Sequence, residues 1–447
     1  MPTLYQRPLL ATLRARVEEP RKFFQVIVGP RQVGKTTLVE QLLDELKSQE
    51  QHAPAPQRLI NSLSADGKAA LGPSWIGLMW QAFRQKMQLS GYEEGLLVFD
   101  EIQKIPGWSE EIKRNWDADT KNHVNIKLII LGSSRLLVQK GLSEALTGRF
   151  ELNYLGHWSY PEMRDAFGFS PEQYVWFGGY PGAAEYINDE TRFKNYVLNS
   201  IIEPSISNDI LMMEAITKPA LLRQLFDLAI SYSAQILSYN KMLGQLQDAG
   251  NTTTLAHYLD LLGQAGLITG LEGYSTHPIK TRRTSPKLQV QNAALFSALH
   301  TESFDEARMN PDFWGRVVES AIGAHLIAAL QQIPNAKLYY WRDGSKEVDF
   351  VIKRSAHITG IEVKTASGFG ALETFGERFP EAESILVGDD GIDYSLFLTV
   401  PLEKMLQTGS VNAVQAQLQQ EMKRDGALHA TEKSGDGWIA HVIEDYS

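Results

Sequence analysis

Eight residues of the sequence have the types and spacing of a phosphate-binding loop. Residues 29–36 read Gly-Pro-Arg-Gln-Val-Gly-Lys-Thr and directly follow an apolar run. Gly29 and Gly34 allow successive backbone N–H groups to curl around a β-phosphate. Lys35 is then spaced to reach the β- and γ-phosphates, and the Thr36 hydroxyl is spaced to ligate Mg²⁺ at the start of a helix. The other members of the predicted triphosphate site are Pro30, Arg31, Gln32, Val33 and Thr37.

Two adjacent carboxylates supply the second part of this chemistry. Asp100 and Glu101 end the apolar run 96–99. They are therefore expected at the carboxyl end of a buried strand, where ligands of doubly wound sheets bind. Asp100 would hold Mg²⁺ through water, and Glu101 would orient and polarise the water that attacks the γ-phosphate. The pair predicts hydrolysis as well as binding.

Two further positions could act on the same phosphate. Ser133 is the first candidate for a water-positioning side chain and Ser134 the second, because both follow the strand expected at 127–131. Arg149 precedes another expected strand. Its guanidinium could stabilise charge on the phosphoryl oxygens, in its own subunit or across an interface. The alternative for a lone arginine is a solvated surface group.

The elements that must position these residues alternate between strands and helices from about residue 23 to 157. Extended runs are expected at 23–28, 58–62, 96–100, 126–132 and 150–155. Helices are expected near 36–49, 75–90, 109–119 and 134–140. Such alternation predicts an α/β domain whose parallel sheet is covered by helices on both faces.

Composition limits the remaining classes. The 447 residues are 43% hydrophobic and 21% charged, which is typical of a globular chain of two to four domains. There is no cysteine, so disulfides and thiolate metal sites are excluded. We find no apolar run of the roughly 18 residues that a membrane span needs, and we expect a cytoplasmic protein without a membrane partner. The net charge of -10 restricts any nucleic-acid contact to a local basic region.

The motifs together resemble a known family. GPRQVGKTTL, LLVFDEIQK, LIILGSS and LTGRFEL, followed by FGGYPGA at 177–183, look like the prokaryotic AAA-superfamily ATPases. The resemblance covers roughly residues 4–405 and implies an AAA/ASCE-type P-loop NTPase sheet with ATP and Mg²⁺ as its ligands. It also implies that Arg149 is an arginine finger. A finger that acts on a neighbouring subunit implies a homo-oligomer, with a hexameric ring as one form.

The middle of the chain suggests a nucleic-acid contact. Residues 236–274 contain a helix, a polar turn and a second helix, and this order resembles a winged helix. The basic residues that follow are Lys280, Arg282, Arg283 and Lys287. With no acidic residue among them, they would suit a wing that contacts DNA phosphates. Ordinary packing helices followed by a solvated basic loop are the alternative.

A second candidate site lies near the C-terminus. If residues 347–353 and 358–364 form a hairpin around a two-residue turn, Asp349 lies across from Glu362, and Lys364 shares their face. Such a pair of carboxylates could bind Mg²⁺, and the lysine could orient a nucleophilic water. The pattern resembles the PD-(D/E)XK nuclease fold, and that resemblance adds Glu319 as a helix acid. The polar face of an edge hairpin is the alternative, and a nuclease-like domain can bind DNA without cutting it.

These patterns predict four regions and two main functions. Residues 1–157 form an AAA-type P-loop ATPase domain, 158–300 a helical and winged-helix domain, 301–405 an α+β, restriction-endonuclease-like domain, and 406–447 an unassigned extension. The first hypothesis is an oligomeric ATPase that binds, remodels or cleaves DNA, with branched DNA among the candidates. The alternative is a nucleotide-controlled regulatory or defence switch that acts through protein partners. A chaperone-like unfoldase is a third option, although no aromatic pore motif is apparent.

Overall fold

The computed structural model describes residues 4–52, 57–132, 142, 145–211, 216–248, 250–276, 284–364, 370–388 and 390–408. The chain forms two compact units, one of residues 1–271 with 284–331 and one of residues 272–283 with 332–447. Both predicted boundaries at 157 and 300 fall inside the first unit, and the four-part division stays a prediction. The helix expected near 134–140 lies outside the described residues.

The first unit begins with an α/β layer, as the alternation predicts. Its five-stranded sheet is parallel. The strands are β1 Phe24–Val28, β2 Arg58–Ser64, β3 Glu94–Asp100, β4 Ile126–Gly132 and β5 Phe150–Tyr154. The helices around them are α1 Leu9–Glu18, α2 Lys35–His52, α3 Ser74–Ser90 and α4 Trp108–Lys121.

Helices cover both faces of this sheet because alternate strand residues enter two separate cores. Ile27 packs with apolar residues of α1 and α2, including Leu13 and Leu42. Val26 and Val28 pack on the other face with apolar residues of α3 and α4. Every residue of β1 and β4 is buried, as in strands that are covered on both sides.

The strand order β2-β3-β4-β1-β5 decides where the candidate residues meet. β4 lies between β1 and β3, so the strand that carries Asp100 is not adjacent to the strand that leads into the phosphate loop. Because all strands are parallel, the carboxyl ends of β1, β3 and β4 nevertheless share one edge of the sheet.

The rest of the first unit is mostly helical. After β5 come α5 Tyr160–Phe167, α6 Pro171–Phe177 and α7 Glu190–Tyr196, then two π-helical segments, Val197–Ile202 and Ser205–Ile210. The helices that follow are α8 Pro219–Ser231, α9 Tyr239–Gln245, α10 Thr252–Gln264, α11 Ala293–Leu299, α12 Phe304–Met309 and α13 Pro311–Leu330. Strands β6 Gln235–Ile236, β7 Ile268–Leu271 and β8 Lys287–Val290 form an antiparallel sheet in the order β6-β8-β7.

The second unit is built on a four-stranded mixed sheet in the order β12-β11-β10-β9. Its strands are β9 Ala336–Asp343, β10 Lys346–Arg354, β11 His357–Lys364 and β12 Glu383–Gly388. Its helices are α14 Gly370–Arg378, α15 Tyr394–Thr399 and α16 Leu402–Thr408. β9, β10 and β11 are antiparallel neighbours, whereas β11 and β12 are parallel.

In neither unit is any helix of the described ranges both long enough and apolar enough to cross a membrane.

Candidate functional site

The phosphate loop connects β1 to α2 and takes backbone conformations that only some residues tolerate. Gly34 has φ +87° and Gln32 has φ 59°, both in the left-handed region. Gly29 is required for space instead, because a Cβ atom there would lie 2.0 Å from the carbonyl oxygen of Leu155. The strand β5 therefore ends directly against the loop and fixes its first residue.

Lys35 lies at the centre of the loop. Its side chain is buried, and its ammonium donates to the carbonyl oxygens of Gly29 at 2.9 Å and Pro30 at 2.7 Å. Burial lowers the pKa of Lys35 to about 8, against the opposing effect of the Glu101 and Asp100 carboxylates. A phosphate group would replace these carbonyl contacts with stronger, charge-assisted ones.

Thr36 and Asp100 meet at the shared edge of the sheet. The Thr36 hydroxyl donates to Oδ2 of Asp100 at 2.9 Å, although the residues are 64 positions apart. Hydroxyl and carboxylate oxygens are the kind of ligand that Mg²⁺ prefers, and a carboxylate can hold the ion through a bound water. The two side chains therefore fit a magnesium ion at this position.

Glu101 is held by its own neighbours. It takes a left-handed conformation with φ 53°, and the Gln103 amide donates to its Oε2 at 2.8 Å. The Lys104 ammonium lies 3.6 Å from the same oxygen. The sequence did not single out Gln103 as a partner of Glu101, although the string DEIQ contains both residues.

Arg149 lies at the other edge of the sheet. It immediately precedes β5, whose first residue pairs with Phe24 at the start of β1. The phosphate loop follows the far end of β1, about 13 Å away at a rise of roughly 3.3 Å per residue. The Arg149 guanidinium forms two hydrogen bonds with the Asp117 carboxylate, at 2.8 and 3.0 Å. These bonds hold the pKa of Asp117 below its usual value.

The loop is also fastened to residues that the sequence did not single out. The Val33 carbonyl accepts from the Arg7 guanidinium at 3.3 Å and from the Trp158 indole at 3.0 Å. Arg7 is buried and forms an ion pair with Glu162 at 2.8 Å. Arg31 forms an ion pair with Asp209. No local motif predicts these contacts. The contacts of Trp158, Glu162 and Asp209 each join positions more than 100 residues apart, and Arg7 reaches the loop from the N-terminal segment.

A buried histidine adds a further connection to the first unit's helical part. His157 Nε2 lies 3.2 Å from the Gly266 carbonyl, and Nδ1 lies 3.1 Å from the Asn292 amide. Burial lowers the pKa of His157 to about 4, so the ring is neutral and can donate at one nitrogen while accepting at the other. A Cβ atom on Gly266 would lie 2.6 Å from Cγ of Pro30, so this turn is in contact with the loop itself.

Lys287 corrects one prediction. Its side chain is fully buried, and its ammonium lies 2.6 Å from Oε1 of Glu319. A lysine with no exposed surface cannot contact DNA phosphates, so its expected role in a basic wing is wrong in this structure. Glu319 belongs to the first unit and neutralises Lys287 there. Its expected part in a metal site stays a prediction.

The second unit brings the other C-terminal candidates together. β10 and β11 pair around a turn at Ser355 and Ala356. Phe350 pairs with Ile361, so the same register sets Asp349 opposite Glu362. The β10–β9 register shifts between Val348 and Val351, so Asp349 lies at a bulge. The predicted hairpin is therefore confirmed as a local structure.

The charged groups of this hairpin contact one another. Asp349 Oδ2 accepts from the Val363 N–H at 2.9 Å, and the Lys364 ammonium lies 2.6 Å from Oε1 of Glu362. Burial raises the pKa of Glu362, and the nearby Asp349 charge raises it further, whereas the Lys364 ammonium lowers it. Oε2 of Glu362 is buried and makes no hydrogen bond among the described residues.

Other predicted residues cannot be placed. Ser133, Ser134, Lys280, Arg282 and Arg283 lie outside the described residues. Within the part of the chain that the structure describes, no three His, Cys, Asp or Glu side chains are grouped so that they could hold a metal ion. Thr36 with Asp100, and Asp349 with Glu362, are the residues that would hold a magnesium ion at the two candidate sites, with phosphate or water as its further ligands.

Residues 21–164 match the family described as "AAA domain". The matched range contains the phosphate loop, Asp100, Glu101 and Arg149, so this similarity covers the candidate nucleotide site. Residues 169–306 and 314–394 match two families that are each described as a domain of unknown function, DUF8612 and DUF4143.

Similarity to whole proteins extends beyond the AAA match. An uncharacterized protein of Mycobacterium tuberculosis is 25% identical over 404 residues, which are 88% of this chain and 83% of the relative. An uncharacterized protein of Haemophilus influenzae is 22% identical over 76% of this chain and 82% of its own length. Among solved structures, the Walker-type ATPase of Pyrococcus abyssi is 15% identical with a TM-score of 0.41, covering 66% of this chain and 96% of that one.

Proposed function

We propose that the chain binds and hydrolyses ATP in the presence of Mg²⁺ and couples hydrolysis to work on DNA. The observation that carries the first half is the 2.9 Å contact between Thr36 and Asp100. It joins the phosphate loop to the acidic strand end, with the buried Lys35 ammonium beside them. These are the groups that hold a triphosphate and its metal ion in P-loop NTPases.

Each residue has a separate role in this proposal. Lys35 transfers its hydrogen bonds from loop carbonyls to phosphate oxygens, and Thr36 and Asp100 hold Mg²⁺, which neutralises phosphate charge when bound. Glu101, kept in place by Gln103, orients and polarises the attacking water. Ser133 is proposed to help position that water, on the basis of its place after β4.

We propose that Arg149 serves the site of a neighbouring subunit. The separation between the two ends of β1 leaves Arg149 too far from its own phosphate loop, whereas a second copy could present its loop to this edge. The proposal therefore includes a homo-oligomer, with a hexameric ring as one form. An arginine that stabilises transition-state charge in this way contributes about 10³–10⁵ in kcat in other NTPases.

The DNA part of the proposal rests on the element order in the middle of the first unit. α8, β6, α9, α10, β7 and β8 follow one another as the elements of a winged helix do, and they include the three-stranded antiparallel sheet β6-β8-β7. Winged helices also bind proteins, so this order supports a nucleic-acid role without requiring one.

The test is the ATPase rate with and without DNA. We expect MgATP hydrolysis by the native chain, and we expect linear duplex or four-way DNA to raise the rate. Lys35→Ala should weaken ATP binding, and Glu101→Gln should keep ATP binding but lower turnover by at least about 100-fold. A native chain that binds no ATP would refute the nucleotide site.

The same assay separates the two main functions. If the chain is a regulatory switch that acts through protein partners, DNA should not bind to it and should not change its rate of ATP hydrolysis. Hydrolysis without any DNA effect therefore removes the DNA proposal and favours the switch.

A second activity is favoured by the Glu362 carboxylate. Its buried Oε2 atom makes no hydrogen bond among the described residues, and Asp349 lies across the hairpin from it. A divalent cation between the two carboxylates would satisfy that oxygen, and Lys364 could orient a water. We therefore propose Mg²⁺-dependent DNA cleavage by the second unit, tested by nuclease assays of the native chain and of Asp349→Ala. Cleavage that survives this substitution would place the activity elsewhere.

A further inference from the structure

The phosphate loop is joined by an ion pair to a region of unknown function. Arg31 Nε lies 2.5 Å from Oδ2 of Asp209, and its Nη2 lies 2.7 Å from Oδ1, which is a bidentate pair. The Asp209 side chain is 9% exposed and that of Arg31 is 24% exposed. Arg31 lies in the AAA match, whereas Asp209 lies in the range 169–306. Both residues belong to the first unit.

The segment that carries Asp209 has an unusual helical form. Val197–Ile202 and Ser205–Ile210 are π-helical, and Pro204 between them has no N–H to donate. The Ser205 and Ser207 hydroxyls also bond to the carbonyls four residues earlier, at 2.7 and 2.6 Å. π-Helical turns are rare and often mark functional sites. A return to α-helical hydrogen bonding would shift the register by one residue and turn Asp209 by about 100°.

The Asp209 carboxylate lies next to the loop that is proposed to bind phosphates, because it pairs with Arg31, a member of that loop. A bound triphosphate would add negative charge at the same place. The phosphates would then repel Asp209 and attract Arg31, and the two anions would compete for one guanidinium.

We propose that the Arg31–Asp209 ion pair is a nucleotide-responsive latch, which a bound triphosphate opens by drawing Arg31 away from Asp209 and thereby releases the segment Ser205–Ile210. The proposal rests on the nucleotide site proposed above and adds a route from that site to the region 169–306. Because coupling between two equilibria is reciprocal, weakening the latch must also strengthen triphosphate binding.

Substitutions of the two partners should have opposite effects, because the phosphates repel the Asp209 charge and attract the Arg31 charge. Asp209→Asn removes a repulsive charge and frees Arg31, so we expect MgATP to bind about three- to tenfold more tightly. Arg31→Gln leaves the Asp209 charge unneutralised, so we expect weaker binding. In the double variant the affinity should lie between those of the two single variants. If Asp209→Asn binds MgATP with unchanged or lower affinity, the latch is refuted.

Glu203→Gln is the matched control. Glu203 lies just before the same segment and forms an ion pair with Arg223, which is not part of the phosphate loop. Its substitution removes one carboxylate nearby but should leave MgATP affinity unchanged within about twofold. A tightening as large as that of Asp209→Asn would show a general charge effect and overturn the latch.

A second measurement uses the native chain and so does not depend on any variant folding. Hydrogen exchange of amides 205–210 in the native protein should become at least threefold faster when MgATP, kept in excess, is bound. Equal exchange with and without bound nucleotide overturns the latch while leaving the nucleotide site intact. Absence of nucleotide binding in the native chain instead refutes the proposed function on which the latch rests.

Discussion

The proposed phosphate binding depends on the buried ammonium of Lys35. Its pKa is lowered to about 8, so the free protein loses the ammonium as pH rises through that value. Binding a triphosphate then requires a proton to be taken up. We expect MgATP affinity to be constant below about pH 7.5 and to fall by up to tenfold per pH unit above the pKa.

Calorimetric titrations between pH 7 and 9.5 check this prediction. Phosphate groups with a second pKa near 6 are already ionised over this range, so the change belongs to the protein. Proton uptake should appear as a binding enthalpy that depends on the ionisation enthalpy of the buffer. Affinity that does not change up to pH 9.5 would show that Lys35 keeps its proton.

The Lys287–Glu319 pair is a second buried charge with a structural consequence. Glu319→Gln removes the charge of the carboxylate that lies 2.6 Å from the fully buried Lys287 ammonium. Such a change lowers the free energy of unfolding by about 3–5 kcal/mol. Urea denaturation should show this loss equally with and without Mg²⁺, because the role is ion pairing within the first unit.

Asp165→Asn provides the comparison for this measurement. Asp165 pairs with Arg164, and both side chains are more than 40% exposed. Its removal should change stability by less than about 1 kcal/mol. A loss of stability in Glu319→Gln that appears only with Mg²⁺ would instead support the predicted metal role.

At the scale of elements, the junction between β1, the phosphate loop and β5 leaves no room for a side chain at Gly29. Gly29→Ala would place Cβ 2.0 Å from the Leu155 backbone oxygen. The strand end or the loop must then move, and we expect a lower melting temperature together with weaker ATP binding.

Gly244→Ala is the matched substitution for thermal unfolding. Gly244 lies in α9, and a Cβ atom there would meet nothing within 4 Å. Alanine in place of this helical glycine should be neutral or stabilising, by up to about 1 kcal/mol. If both variants unfold at the native temperature, the β5–loop junction tolerates more displacement than its geometry suggests.

The sequence predicted elements well where the signal is local. Continuous apolar runs predicted β1, β3 and β4 to within two residues, and parity predicted the hairpin that sets Asp349 opposite Glu362. The motifs also assigned Thr36 and Asp100 to one magnesium site, and the two side chains form a 2.9 Å hydrogen bond in the structure.

Contacts set by tertiary packing were not predictable in the same way. Nothing near Asp209 in the sequence points to Arg31, because the two residues are 178 positions apart. Lys287 was misassigned because a basic run looks solvated until the carboxylate of Glu319 is known to lie beside it. Pairing between distant elements is decided by the packing of the whole unit, which periodicity does not encode.

At the scale of the whole molecule, the position of Arg149 predicts how mixed assemblies behave. Arg149→Ala and Glu101→Gln should each have low ATPase activity, because one lacks the finger and the other the water-orienting carboxylate. If Arg149 acts on the neighbouring subunit's site, a mixed assembly contains some interfaces at which one subunit supplies an intact Arg149 and its neighbour supplies an intact Glu101. An equal mixture should restore about a quarter of native interfaces, from random pairing in a closed ring.

The mixing experiment has a clear contrary result. A mixture no more active than the two variants measured separately, in subunits known to exchange, would exclude a role for Arg149 across an interface. A monomeric Arg149→Ala chain with full turnover would exclude the finger altogether.

The strand order has a consequence for how the chain is made. β1 lies between β4 and β5, and both partners are encoded later, beginning at Ile126 and Phe150. At a synthesis rate of about 5–20 residues per second, several seconds pass between the synthesis of β1 and that of β4, its first neighbour in the sheet. The phosphate loop leaves the ribosome early but cannot take its final form until Leu155 has followed. A nascent chain that ends before Leu155 therefore contains the phosphate-loop sequence but cannot form the proposed nucleotide site.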